Sequence, residues 1–267
     1  MRGDSLPKFS SHLGHVGAEV KAYLGERLSF APLRALGARL IDAVYPPAGS
    51  DALGLEAARW ARLHFLDNEG CEMCARPFAD GLWLGVGGLC GSCTDKPFPF
   101  ARTRAACLYD DASRDLILAF KHGDRLDLAP MLSRWLERAG RGLLVEADLI
   151  MPVPLHPSRL RQRRYNQAAE LARPVARRLN RVYAPDLLRR IKATSQAGKG
   201  AEARWRAVRD AFAAPERAKA QIAGKRIVLV DDVFTTGATL KACAQTLLKA
   251  GAGAVDVCVL ARAVTAL

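Results

Sequence analysis

Two adjacent carboxylates, Asp231 and Asp232, close an apolar run and precede the hydroxyls Thr235, Thr236 and Thr239, which are interrupted by Gly237 and Ala238. Carboxylates accept hydrogen bonds from vicinal hydroxyls, and threonine hydroxyls donate to phosphate oxygens. Glycine lets the backbone approach an anion closely. In combination these residue types suit a sugar phosphate, with the acids on the sugar and the hydroxyl-rich turn on the phosphate. A second constellation is Cys71-Glu72-Met73-Cys74 and Cys90-Gly91-Ser92-Cys93, separated by fifteen residues. That is four-cysteine zinc-ribbon spacing, in which two tight turns converge on one tetrahedral ion. All four positions would be filled by protein, so the expected zinc is structural.

The acids need a strand and the turn needs a helix behind it. Ile227-Val228-Leu229-Val230 reads as a strand buried on both faces. Leu240, Ala244, Leu247 and Leu248 recur at helical spacing, so a helix begins near Ala238. Its amino terminus offers unpaired N–H groups and a positive dipole end. In an open α/β sheet, ligands bind at the carboxyl ends of strands. No G-x-x-x-x-G-K-[ST] loop occurs, which argues against a nucleotide-hydrolase strand. The stretch from Ile227 to Thr239 resembles the phosphoribosyl-pyrophosphate (PRPP) motif of the type I phosphoribosyltransferases. That resemblance implies that the loop holds a 5′-phosphate while the acids hold ribose hydroxyls.

Charge is concentrated. The 267-residue chain carries +13, and His156 to Arg226 alone holds 19 Lys/Arg against 5 Asp/Glu. Such a field favours pyrophosphate, nucleotides or nucleic acid. Seven cysteines, four of them in C-x-x-C pairs, fit thiols or metal better than a disulfide framework. No apolar run approaches the ~20 residues of a membrane helix, and the start lacks a secretory pattern. We therefore expect a cytoplasmic protein without a membrane span.

Earlier in the chain, residues 1–68 are expected to be a partly disordered helical segment, with a helix from Ala52 to Leu66. Residues 69–97 form the ribbon, with a hairpin at Gly81 to Gly88. Residues 98–267 form the main domain: a strand at Ala105 to Tyr109, a helix capped by Asp111 or Ser113, and a helix carrying Leu132, Trp135 and Leu136. Asp148 to Pro154 is a further strand, running into the basic loop from His156 to Gln167. The segment Leu187 to Gly200 suggests a mobile lid. Residues 253–261 add another strand. Cys107, Cys243 and Cys258 are expected in the core rather than as nucleophiles.

The ribbon, then F-K-H-G-D (Phe120 to Asp124), then P-V-P-L-H-P-S-R-L-R-Q-R-R-Y-N-Q (Pro152 to Gln167), T-S-Q (Thr194 to Gln196) and V-D-D-V-F-T-T-G-A-T (Val230 to Thr239), resemble the ComF family in order and register. The resemblance implies an α/β fold of the type I phosphoribosyltransferase kind: a parallel sheet flanked by helices, preceded by a small four-cysteine zinc ribbon and N-terminal helices. It implies that Asp231, Asp232, Thr235, Thr236, Gly237, Ala238 and Thr239 bind the ribose phosphate. Arg159 and Arg163 would lie in the pyrophosphate-side loop, and Thr194, Ser195, Gln196, Arg204 and Arg206 in the lid. Cys71, Cys74, Cys90 and Cys93 would hold one zinc. The expected function is transfer of a phosphoribosyl group from PRPP, with Mg2+, to a nitrogen acceptor, linked to DNA uptake and natural competence. The alternative is a non-catalytic sensor of PRPP or a nucleotide that engages single-stranded DNA or competence partners.

Overall fold

In the computed structural model, residues 60–66, 70–78, 88–122, 125–193, 205 and 208–264 are described. Strand β6 (Arg226–Phe234) is the centre of the fold, and Ile227, Val228, Leu229 and Val230 are completely buried. A strand with no exposed face must have layers on both sides. Its neighbours are β2 (Leu149–Pro152) and β7 (Ala254–Arg262), both parallel to it. With β1 (Thr103–Leu108) and β3 (Val182–Tyr183) they make a five-stranded parallel sheet in the order β1-β7-β6-β2-β3.

That order reverses between β6 and β2. The chain moves outward from β2 to β3, then returns to β6 and moves the opposite way to β7. Right-handed crossovers then place the two connecting helices on opposite faces. The loops after β2 and β6 diverge at this switch point and leave a crevice. α5 (Gln167–Arg178) packs on β2, β3 and β6, and α3 (Ala129–Glu146) packs on α5, β1 and β7. α7 (Ala238–Lys249) packs on β6 and β7. The phosphoribosyltransferase-like fold expected from sequence is the one observed, and Glu56–Leu267 forms one compact unit that includes the ribbon cysteines.

Some local expectations change. Residues 63–66 are extended rather than the end of a helix: Phe65 bridges Cys107, and Leu66 N–H donates to the Ala106 carbonyl. They cover the free edge of β1, which a helix could not do. α2 (Asp111–His122) is capped by Asp110, whose Oδ1 accepts the N–H groups of Ala112 and Ser113. The basic loop after β2 contains a short helix, α4 (Pro157–Arg163), started by His156, whose side chain accepts the Ser158 N–H. Part of the expected lid is sheet: β4 (Arg189–Arg190) pairs antiparallel with β5 (Phe212–Ala213), because Leu188 and Arg190 are buried. α1 (Gly91–Asp95) carries Cys93, and α6 (Glu216–Ile222) precedes β6. Cys107, Cys243 and Cys258 are core residues with no exposed surface. The helix before residue 60, most of the hairpin at 81–88 and the lid residues Thr194, Ser195, Gln196, Arg204 and Arg206 lie outside the described residues.

Candidate functional site

β6 continues past its apolar run, so Asp231 and Asp232 belong to the strand and stand at its carboxyl end. Successive strand residues point to opposite faces, and the two acids meet different neighbours. Lys121, in the last turn of α2, places Nζ 2.7 Å from Asp232 Oδ2. Asp231 makes no such pair with Lys121 but lies in its field, and less strongly in that of Arg190. After Phe234 the chain turns through Thr235 and Thr236 to Gly237, whose φ of +74° is left-handed, and α7 begins at Ala238. A Cβ at Gly237 would stand 2.7 Å from the rings of Phe234 and Phe98, so only glycine fits there. α7 has no side-chain cap and no acidic residue in its first turn, so its end keeps donors and dipole for an anion.

Across the crevice stand the cations. Arg159 and Arg163 line the same cavity, of about 240 Å³, as Asp231, Asp232, Thr235 and Thr239. Thr236, Gly237 and Ala238 complete that wall. The structure thus gathers the acids, the hydroxyl turn and both arginines singled out in the sequence around one cleft. His156 is the cap of α4.

Several residues of this cleft escaped the sequence reading. Lys121 and Arg190 also line it. The F-K-H-G-D motif was the signal for Lys121, but spacing alone reads it as a helix end. The Y-N-Q segment explains how Lys121 is held. Tyr165 Oη donates to the Phe120 carbonyl at 2.7 Å, and Gln167 Nε2 donates to the Lys121 carbonyl at 2.9 Å. Asn166 between them caps α5 through Ala168 N–H and donates Nδ2 to the Val153 carbonyl at 3.0 Å. One tripeptide therefore binds the end of α2 to the end of β2. Arg190 is held over the Phe212 ring, 5.4 Å from its centroid.

The electrostatics favour an anionic, hydroxyl-bearing ligand. Burial and the adjacent Asp232 charge push the Asp231 carboxyl up to about 7, against the pull of Lys121 and Arg190. Desolvation holds the guanidinium groups of Arg163 and Arg190 below their ordinary range, and Arg159 adds like charge to both. Cations crowded in this way gain when an anion enters.

The four cysteines make the second site. Cys71, Cys74, Cys90 and Cys93 are buried, with all Sγ atoms within 4.8 Å of one another. Cys74 Sγ and Cys90 Sγ are 3.8 Å apart, close to the edge of a tetrahedron built on ~2.3 Å Zn–S bonds. Cys90 N–H donates to Cys71 Sγ at 3.3 Å. Hydrogen bonds from Cys74 and Cys93 pull the Cys71 thiol well below its usual range, and the shared bond with Cys71 pushes Cys74 up to about 11. Soft sulfur donors at this separation fit a zinc ion.

This chain is similar to several known proteins. The phosphoribosyl transferase domain family matches residues 166–265. The DNA utilization protein YhgH of Escherichia coli K12 is 36% identical over 180 residues, covering 65% of this chain and 77% of that protein. Competence protein F of Haemophilus influenzae is 30% identical over 221 residues, 75% of this chain and 93% of that protein. Among solved structures, the glutamine PRPP amidotransferase of B. subtilis aligns with a TM-score of 0.35 and 19% identity, over 53% of this chain and 30% of that one.

Proposed function

The chain belongs to the ComF family, and from that premise we propose that its cleft binds PRPP and transfers the phosphoribosyl group to a nitrogen acceptor, in a cytoplasmic process tied to DNA uptake or use. The observation that carries this reading is the gathering, in one crevice, of the Asp231–Asp232 pair, the Thr235–Thr239 turn, Arg159, Arg163 and Lys121, the last paired with Asp232. Residues 98–267 act as the transferase-like domain, and residues 69–97 as its metal ribbon.

The amides at the start of α7 and the hydroxyls of Thr235, Thr236 and Thr239 take the 5′-phosphate. Asp231 and Asp232 accept hydrogen bonds from the ribose 2′- and 3′-hydroxyls. The C1–O bond to pyrophosphate breaks with its electron pair leaving on pyrophosphate, while the acceptor nitrogen's lone pair forms the new C1–N bond. The proton released from that nitrogen goes to solvent or to the departing pyrophosphate. Arg159, Arg163 and Lys121 stabilise the negative charge gathering on the leaving group. Asp231 and Asp232 are the residues beside which a magnesium ion would be held, and it would supply charge neutralisation for the pyrophosphate.

A second reading keeps the ligand and drops the chemistry: a PRPP or nucleotide sensor that binds single-stranded DNA or competence partners. It draws support from the arginines that point to solvent around α4 and α5, among them Arg161, Arg164, Arg177 and Arg181. The names of the relatives point the same way.

Calorimetric titration with PRPP and Mg2+ tests the shared claim. Binding is expected for the wild type and loss of binding for Asp231→Asn with Asp232→Asn, whose circular dichroism stays native. Unchanged affinity in the double variant would remove the assignment of the acids. Pyrophosphate release across a panel of bases and amines then separates the readings. Release with one acceptor supports the transferase, and tight binding without release supports the sensor.

A further inference from the structure

We propose that Arg262 is a positioning residue that couples the four-cysteine cluster to the phosphate turn, so that the state of the cysteines sets the shape of that turn. The proposal rests on the reading of the cleft given above for its ligand, but its geometry stands alone. Arg262 ends β7 and is 8% exposed. Its Nε donates to the Cys74 carbonyl at 2.7 Å, and Nη1 donates to the carbonyls of Phe234 and Thr235, each at 3.1 Å. Nη1 also donates to the Ala263 carbonyl. The guanidinium sits 4.5 Å from the Phe234 ring centroid. All these partners are carbonyls or an aromatic face.

Burying a charge without a carboxylate is costly, and a rigid fork is the one side chain that meets several carbonyls in a plane. Here the fork joins a metal-ligand residue to the two peptide units that open the phosphate turn. Because a trans peptide sets C=O and N–H in opposite directions, drawing the carbonyls of Phe234 and Thr235 to Arg262 turns the N–H groups of Thr235 and Thr236 away from it. Both threonines form the cleft wall. The segment after Cys93 supports the turn again. Phe98 N–H donates to Met73 Sδ at 3.2 Å, and the Phe98 ring meets Phe234 edge-on at 5.6 Å. The turn is therefore reached on two sides by residues bonded to the ribbon, Arg262 through Cys74 and Phe98 through Met73.

Arg262→Lys in the full-length protein tests this, with hydrogen–deuterium exchange and two titrations. A lysine keeps the charge and loses the fork. We expect exchange at Thr235–Thr239 to rise about tenfold while Ile227–Val230 stays protected. Ribose 5-phosphate should bind about tenfold more weakly, with inorganic pyrophosphate, which faces α4 and Lys121, unchanged within about twofold. Stripping the wild type with a chelator is expected to produce the same local rise in exchange, and this arm serves even if the lysine variant fails to fold. Unchanged exchange in the turn, a rise spread over the whole sheet, or equal weakening of both anions would overturn the coupling. A local rise in a wild type that ignores ribose 5-phosphate would support the coupling and overturn the ligand assignment.

Discussion

Asp231 and Asp232 share a strand end but differ in how their charges are met. Asp232 is met by Lys121 at 2.7 Å, whereas burial and its neighbour's charge hold Asp231 at about 7 against an ordinary 3.8. A carboxyl raised in the folded state contributes stability that is complete below its unfolded pKa and is lost as pH climbs through the folded one. The unliganded protein should therefore lose stability between about pH 4 and pH 7 through this group. Asp231→Asn should flatten that slope and leave the protein more stable at pH 8 by at least about 1 kcal/mol, measured by urea unfolding. On the proposed reading the ribose hydroxyls bond to the ionised acid, so PRPP affinity should rise from pH 6 to pH 8 in the wild type. Lys121→Met removes the cation that pulls Asp231 down. That variant should weaken PRPP binding and move the pH midpoint of binding upward, while a variant with an unshifted midpoint would place Lys121 outside the site.

The elements matter for where they end. The turn between β6 and α7 works because Gly237 takes a φ of +74° with aromatic rings packed against its Cα. Gly237→Ala should cost about 1–3 kcal/mol through strain and crowding. It should also weaken ribose 5-phosphate more than pyrophosphate, since the damage falls on one wall of the cleft. On the other wall, Asn166 ties α5 to β2 and Tyr165 ties it to α2. Asn166→Ala removes a helix cap and should cost about 1 kcal/mol, read as a shift in the urea midpoint. Tyr165→Phe removes one hydrogen bond to a buried carbonyl and should cost ~1 kcal/mol or more, with pyrophosphate affinity falling as the end of α2 loosens.

At the scale of the molecule, two fields are superposed. The crevice at the switch point concentrates cations around a pair of acids, while exposed arginines on α5 and just after it, such as Arg177 and Arg181, belong to a separate surface. If single-stranded DNA binds that surface, its affinity should fall linearly in logarithmic salt with a slope of about 0.7 per phosphate contact. Arg177→Ala with Arg181→Ala should lessen the slope and leave PRPP binding intact, and loss of both together would mean one site rather than two. The ribbon also belongs to the whole. Glu72 pairs with Arg104, Thr103 Oγ1 donates to the Met73 carbonyl, and Arg262 reaches Cys74. The unit Glu56–Leu267 should therefore melt in one transition, with no separate transition for the ribbon, as read by calorimetry.

The strand–acid–turn–helix order, the four-cysteine spacing and the basic stretch after β2 were all readable from sequence, because each is a local pattern in one continuous stretch of chain. The residues that line the cleft at the end of β6 follow from such patterns, and so does the burial of Cys107, Cys243 and Cys258. Lys121, Arg190 and Arg262 were not readable in the same way. Each reaches its partners from a distant part of the chain: Lys121 is 111 residues from Asp232, and Arg262 is 188 from Cys74. Residues 63–66 pattern locally as helix, yet the unpaired edge of β1 draws them into extended pairing. Periodicity reports only which face of an element is buried. Which charges meet across the crevice depends on the sheet's reversal between β6 and β2, and that pairing exists only once the chain has folded.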